Sequence, residues 1–409
     1  MPAIRIANHG SEKIHKWIDP LILFCFGTLV IFLPIAHTET IRAFSIAIPG
    51  LLWIIKMVWK RRWLCIRTRL DIPIAAFTLI AALSVINAVD FTYSLDEYIG
   101  EWLLGVFLFY LVANNFREEQ IKYLLIVMLC GNLIMVSFGI YEFFLRGGSL
   151  FDYQIRAESL HYGFGAFSTY LVTVLPYLLL GFFSVGKDHA LRWVLLLIFL
   201  GNLFVLYLTQ ARGAWVAAVF LLMWTGWMYL SKKTMFIFAI LGFLLFLVLF
   251  PKGVMRHHAP LISPDAPGSK IETGAARWEL IQFSLQQIKE NPFQMLGFGQ
   301  RSFVKKFPDF YNKFKGALLW HAHNTFLNIT FQTGLQGLAF FIFLLYGLLQ
   351  YNYRRWRQEG FPWRKFYFQA TFMMVITFFV RNLTDDFFKD DSALLFWFLS
   401  GVAMSIKEG

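Results

Sequence analysis

The sequence predicts an all-α polytopic membrane protein of about twelve transmembrane helices, with one large loop on the outer side. Three observations predict it. Of 409 residues, 58% are apolar and only 15% charged, far from the balance of a soluble domain. Apolar runs long enough to cross a bilayer recur along the chain. The cations between them collect on one side, as the positive-inside rule requires.

The runs fall at residues 18–35, 41–59, 72–89, 97–113, 120–144, 162–183, 190–208, 213–230, 234–250, 321–348, 366–381 and 387–406. The tenth exceeds what a bilayer needs, which implies tilt or a helix that projects from the membrane. Residues 1–250 therefore hold spans one to nine, 251–320 a loop subdomain, and 321–409 spans ten to twelve, within one integrated membrane domain. Lys60, Arg61, Arg62, Arg67 and Arg69 lie on one side of this count, with Lys187, Arg192, Lys232 and Lys233. Arg354, Arg355, Arg357, Arg364 and Lys365 join them. That side is cytoplasmic, both termini with it, while the opposite short loops 90–97 and 382–391 are acidic or poor in cations. The net charge of +12 is thus mainly a topology signal and not evidence for a nucleic-acid partner. Cys25 and Cys130 fall inside spans and Cys65 in a cytoplasmic loop, so no outer disulfide framework is available. The first span follows Lys13 and Lys16 without a small-residue cleavage site and reads as retained.

The loop 251–320 holds ten Lys and Arg, and long loops are exempt from the charge rule. Its cations form a solvated basic face or a site for an anionic headgroup or phosphate. Residues 256–270 are rich in Pro, Gly and Ser and read as irregular. Residues 273–289 carry Trp278, Ile281, Leu285 and Ile288 at helical spacing, with Asn291-Pro292 ending an amphipathic helix. The Gly297-Phe298-Gly299 that follows fits a tight turn or a backbone approach to phosphate.

Three constellations on the outer side suit chemistry. Arg212, followed by Gly213 in a very short turn, can present its planar fork to phosphate oxygens, with interface snorkelling as the alternative. Arg277 opens the loop helix, where a surface ion pair with Glu272 or Glu279 is the plainer reading. The third is His321-Ala-His323-Asn324 at the start of span ten. If Trp320 marks the interface, His323 and Asn324 occupy the first helical turn, and a ~100° advance per residue returns Gly334 and Gly337 to within about 40° of the histidine. The positive end of the helix macrodipole disfavours imidazolium there and favours a ring able to accept a proton. Asp385 and Asp386, at the outer start of span twelve, can orient or charge-balance it. They stand at no recognised ligand spacing from the histidines, so no metal site is expected.

His323-Asn324, nine residues, Gly334, two residues and Gly337 resemble the signature of the O-antigen ligases, within the wider family of O-antigen ligases and polymerases. Thr209-Gln210-Ala211-Arg212-Gly213 is similar to that family's arginine turn. Arg277-Trp278 with the downstream Asn291-Pro292-Phe293 and Leu296 to Phe303 resembles its large periplasmic loop. Gln210 stands where many relatives have serine, which bears on the turn's contacts and not on the arginine. The resemblance implies a GT-C-like, metal-independent, inverting glycosyltransferase without cofactor, multi-pass in the inner membrane of a Gram-negative bacterium, its active site facing the periplasm. It would transfer a glycan from undecaprenyl diphosphate to a sugar hydroxyl of lipid A–core, among membrane lipids. His323, Arg212 and Arg277 would be catalytic; His321, Asn324, Arg301, Arg156, Gly334 and Gly337 would bind substrate. A polymerase of the same family shares these motifs, and the single large loop and the His-Asn spacing favour the ligase. A twelve-span transporter is the rival from another class, but the notable polar groups gather at one surface and no internal repeat is evident.

The topology has a direct test. A cysteine probe at Ser269 should be labelled from outside in spheroplasts and one at Lys232 should not; the reverse pattern would overturn the orientation.

Overall fold

The computed structural model describes residues 9–61, 64–150, 155–186, 189–234, 273–313 and 321–406. The ninth predicted span beyond residue 234, the irregular stretch 256–270 and Trp320 lie outside them. Among the described residues the fold is all-helical, and helices cover the other eleven apolar runs. They are α1 (His9–Phe32), α2 (Glu39–Lys60), α3 (Asp71–Ile86), α4 (Phe91–Glu97), α5 (Leu104–Asn115), α6 (Ile121–Leu145), α7 (Phe164–Ser184), α8 (Ala190–Thr209) and α9 (Arg212–Tyr229). After the gap come α10 (Thr273–Glu290), the short α11 (Ser302–Lys306) and α12 (Pro308–Lys313), then α13 (Thr325–Gln358), α14 (Pro362–Arg381) and α15 (Asp390–Ser405). Among the described residues five helices (α2, α6, α7, α8 and α13) are long and apolar enough to cross a membrane.

The fourth run begins earlier than its hydropathy suggests. Asp90 caps α4 by accepting the Tyr93 N–H, and a π-helical turn (Tyr98–Leu103) joins α4 to α5. The expected acidic loop 90–97 is therefore helical beyond its cap.

α7, α14 and α15 form the centre, each buried along most of its length. Around them α2, α6, α8 and α9 turn apolar faces outward, among them Leu51, Ile54, Ile126, Leu197 and Val216. Apolar side chains buried on one side and bare on the other are what a bilayer-facing helix requires. Small residues set the closest approaches. A Cβ added at Gly401 of α15 would lie 2.7 Å from the Phe109 carbonyl oxygen of α5, and one at Gly105 2.4 Å from the Trp397 ring. Without a hydrophobic drive between helices in lipid, such backbone contact supplies the packing.

α13 is not the uninterrupted helix that its spacing suggests. Gly334 has φ 73° and ψ 176°, which breaks the hydrogen-bond ladder. Residues 292–297 fill the gap: Leu335 N–H donates to Pro292 O at 2.9 Å, Leu296 N–H to Phe331 O at 2.9 Å, and Gly297 N–H to Gln332 O at 3.3 Å. Groups freed by the break thus find partners in a second segment. Gly297 and Gly299, at φ 103° and 107°, form the tight turn here, pressed against Ala88, Ser94, Tyr93 and Glu97. α10 seals this subdomain, with Leu280, Leu296, Phe303 and Phe331 in a small separate core. Its buried face matches the expected one only in part, with Ile288 packed on this core. Leu280 and Ser284 point inward, whereas Trp278 and Leu285 are 62% and 55% exposed.

Gly401→Val should force α5 and α15 apart. Overpacking of this kind costs about 1–3 kcal/mol, to be read as a lowered Tm in detergent, while Gly100→Ala, where a Cβ meets nothing within 4 Å, should leave Tm nearly unchanged.

Candidate active site

The start of α13 is built by Asn324. Its side-chain oxygen accepts the N–H groups of Phe326 and Leu327 at 2.9 and 3.1 Å, and its amide donates to Leu383 O at 2.9 Å. Asn324 is thus the N-cap, fully engaged in holding the helix start to the α14–α15 loop. His323 stands before the helix, not in its first turn, with left-handed backbone (φ 47°). With the break at Gly334 as well, the expected single line from His323 to Gly334 and Gly337 does not form. Gly337 instead lets α13 approach α3, where a Cβ would meet Thr333 at 1.9 Å and Ile80 at 3.2 Å.

The left-handed turn aims the His323 ring at Asp385, with Nδ1 2.9 Å from Oδ1. Its other nitrogen, Nε2, is buried with no hydrogen-bond partner among the described residues. His321 packs on the same ring, centroids 4.0 Å apart, and its Nδ1 accepts the His323 backbone N–H at 3.0 Å. Burial, followed by the neighbouring His323, pushes the His321 pKa well below the usual histidine value.

Asp385 gathers the cations. Its Oδ2 lies 3.8 Å from Arg277 Nη2 and 3.9 Å from Arg381 Nη2. Burial raises the Asp385 pKa, but the His323 hydrogen bond and the charges of His323, Arg381 and His321 outweigh it and hold the carboxyl far below the usual range. Asp386 does different work. It accepts from Thr325 Oγ1 at 2.6 Å and Asn328 Nδ2 at 2.5 Å, and its carbonyl accepts from Gln300 Nε2 at 2.9 Å. Burial raises its pKa against those bonds. It ties loop, α13 and glycine turn together beneath the histidines.

Arg277 also donates through Nη1 to Thr384 O at 3.3 Å. Thr384 is in addition the contact that brings α9 in, since a Cβ on Gly213 would lie 1.8 Å from its Oγ1. Arg212, the exposed first residue of α9, thus precedes a glycine packed on the same threonine whose carbonyl Arg277 engages. Gln210 makes the preceding turn in left-handed conformation (φ 54°) and donates to Ile155 O at 3.0 Å, which shows what the glutamine does in that turn. Arg156 follows, its guanidinium 4.3 Å over the Phe164 ring. Arg301 is exposed at the start of α11, where its backbone N–H donates to Tyr93 OH at 3.0 Å. Neither of these contacts is with the His323–Asp385 pair.

Arg381 is the residue that the sequence reading missed. It closes an apolar helix just before Asp385, and an arginine so placed is itself a signal for a buried partner. The expectation of no metal ligands near His323 also changes. His321, His323 and Asp385 each offer a ligand atom, all within 4.8 Å of one another, because a loop some sixty residues downstream folds back onto the histidines. They could hold a cation, although the two guanidiniums on the Asp385 carboxylate oppose one electrostatically.

Residues 194–342 match the family model described as O-antigen ligase. No curated protein matches the chain. The matched segment holds Arg212, Arg277, His321, His323, Asn324, Arg301, Gly334 and Gly337, while Asp385, Arg381 and Arg156 lie outside it.

Gly213→Ala should keep the fold but push α9 off Thr384 and displace Arg212. A misplacement near 1 Å costs on the order of 10²-fold in rate. A purified variant as active as the wild type would detach Arg212 from the site.

Proposed function

We propose that the chain, whose residues 194–342 match the O-antigen ligase family model, is such a ligase and moves a glycan from undecaprenyl diphosphate to a sugar hydroxyl of lipid A–core. The reaction takes place at the periplasmic face of a twelve-span protein of the bacterial inner membrane, with residues 251–320 on that face. The observation that supports this reading is the arrangement of His323, with one ring nitrogen held by Asp385, the other buried with no partner among the described residues, and Arg277 on the same carboxylate.

That arrangement suits a general base. With Nδ1–H donated to the carboxylate, Nε2 presents a lone pair, and the imidazolium formed on proton transfer is stabilised where it stands. The acceptor hydroxyl gives its proton to Nε2 as its oxygen forms the new bond to the anomeric carbon. On the opposite side the carbon–oxygen bond to phosphate breaks, undecaprenyl diphosphate leaves, and the anomeric centre inverts. Arg212 and Arg277 meet the charge that develops on the leaving diphosphate with planar, multi-donor groups. Because two guanidiniums already crowd the carboxylate, the chemistry runs without a metal, with Arg381 securing Asp385 from below.

Reconstitution with a lipid-linked glycan and either lipid A–core or a second lipid-linked glycan tests the acceptor. Transfer to lipid A–core is expected, and chain extension would instead make the protein a polymerase. His323→Ala should slow transfer by about 10²-fold or more while donor binding persists, and chelator should leave the wild type active. A fully active His323→Asn variant, or EDTA-inhibited activity restored by a divalent cation, would overturn the base mechanism even with the ligase product confirmed.

A further inference from the structure

A small cavity lies beside the Asp385–Asp386 turn, and the chemistry derived above does not use it. It has about 30 Å³ of room, roughly two water-sized groups. Thr325 and Asp386 line it, and they belong to the same two segments that carry His323 and Asp385. The π-helical turn Tyr98–Leu103 brings Glu101 and Trp102 to it, and such turns are frequent at functional sites. Lys389, a third exposed, stands at its mouth, where its charge acts on both His321 and Glu97. The mouth is therefore next to the histidine pair.

Two buried amides line this cavity with hydrogen-bonding capacity unspent. Gln300 is 6% exposed, and its Oε1 has no partner among the described residues, its Nε2 being given to the Asp386 carbonyl. Gln332 is 5% exposed, and its side-chain amide makes no hydrogen bond among the described residues. Withdrawing such groups from water unpaired is costly. Two of them on one cavity, with the carboxyl groups of Glu97 and Glu101 beside them, mark a place for a hydrogen-bonding guest.

Resting on the acceptor assigned above, we infer that this cavity takes the exocyclic hydroxymethyl arm of the acceptor sugar. One carbon and one oxygen fill the space. The carbon meets the rings of Trp102 and Trp397, which also line it, while the hydroxyl donates to Gln300 Oε1 and accepts from Gln332 Nε2. A pyranose ring is too large to enter, so it stays at the mouth with its ring hydroxyls toward His323. An ammonium arm would suit the carboxyl groups, but Lys389 already places a cation at the mouth and repels a second.

Two lipid A–core acceptors, one ending in a hexose and one in its 6-deoxy counterpart, test this with the full-length protein and a lipid-linked donor. Wild type should favour the hexose by about tenfold or more in kcat/KM, because the deoxy sugar leaves both amides unpaired. Q332M, close to glutamine in shape, should reduce that preference to about twofold by lowering kcat/KM for the hexose alone. The wild-type comparison needs no variant and decides the matter even if Q332M fails to fold. Equal kcat/KM for the two acceptors in wild type means that the cavity holds water only; it overturns the subsite and leaves the ligase reading standing. A folded Q332M protein that keeps the full preference overturns the subsite as well. Transfer to neither acceptor overturns the ligase reading, and the subsite falls with it.

Discussion

A carboxylate withdrawn from water must be matched by charge and hydrogen bonds, and Asp385 imposes that demand on everything around it. Its two oxygens collect His323 from the start of α13, Arg381 from the end of α14 and Arg277 from α10. Three stretches far apart in sequence, α10, the start of α13 and the α14–α15 turn, are thereby fixed to one point. Removing any partner would leave the others with an uncompensated buried charge, the costly case for such groups. The neighbouring Asp386, satisfied by Thr325, Asn328 and Gln300, gives the same loop a second anchorage. The pair divides the work, one carboxylate facing the chemistry and the other holding the scaffold.

Much of the helical plan was legible because lipid leaves a strong compositional mark. The runs behind α1 to α3, α5 to α9 and α13 to α15 needed nothing beyond hydropathy, and the Asn291-Pro292 stop of α10 was readable from local chemistry. Arg212, Arg277 and His323 stood out because they interrupt apolar or irregular sequence with groups that have few uses there. What hydropathy cannot carry is tertiary choice. The inward face of α10 turns on Leu280 and Ser284 because Arg277 must reach Asp385, so the helix is rotated away from the Trp278–Leu285 face that composition favoured. The angular arithmetic along α13 failed at Gly334, where a residue permissive for left-handed backbone is also one compatible with a helix. Arg381 was overlooked because an arginine at a helix end reads as an interface residue until its carboxylate is located.

The site also shows how a membrane protein can concentrate cations without a metal. Arg277 and Arg381 share one oxygen of Asp385 while His323 takes the other, so three basic groups are gathered with a single negative charge among them. Negative charge developing beside them would meet a field already directed at it, with little reorganisation required. Gly213 contributes by what it lacks, since its missing side chain is what allows α9 to rest on Thr384.

The splice at Gly334 has a consequence for how such a chain can diversify. The 292–297 segment is held to α13 by main-chain amides and carbonyls, which any residue other than proline supplies in the same form. Placement of the outer subdomain is consequently uncoupled from the identity of most side chains in that segment. Its surface is free to drift in shape and charge while its register on the membrane body stays inherited from the backbone.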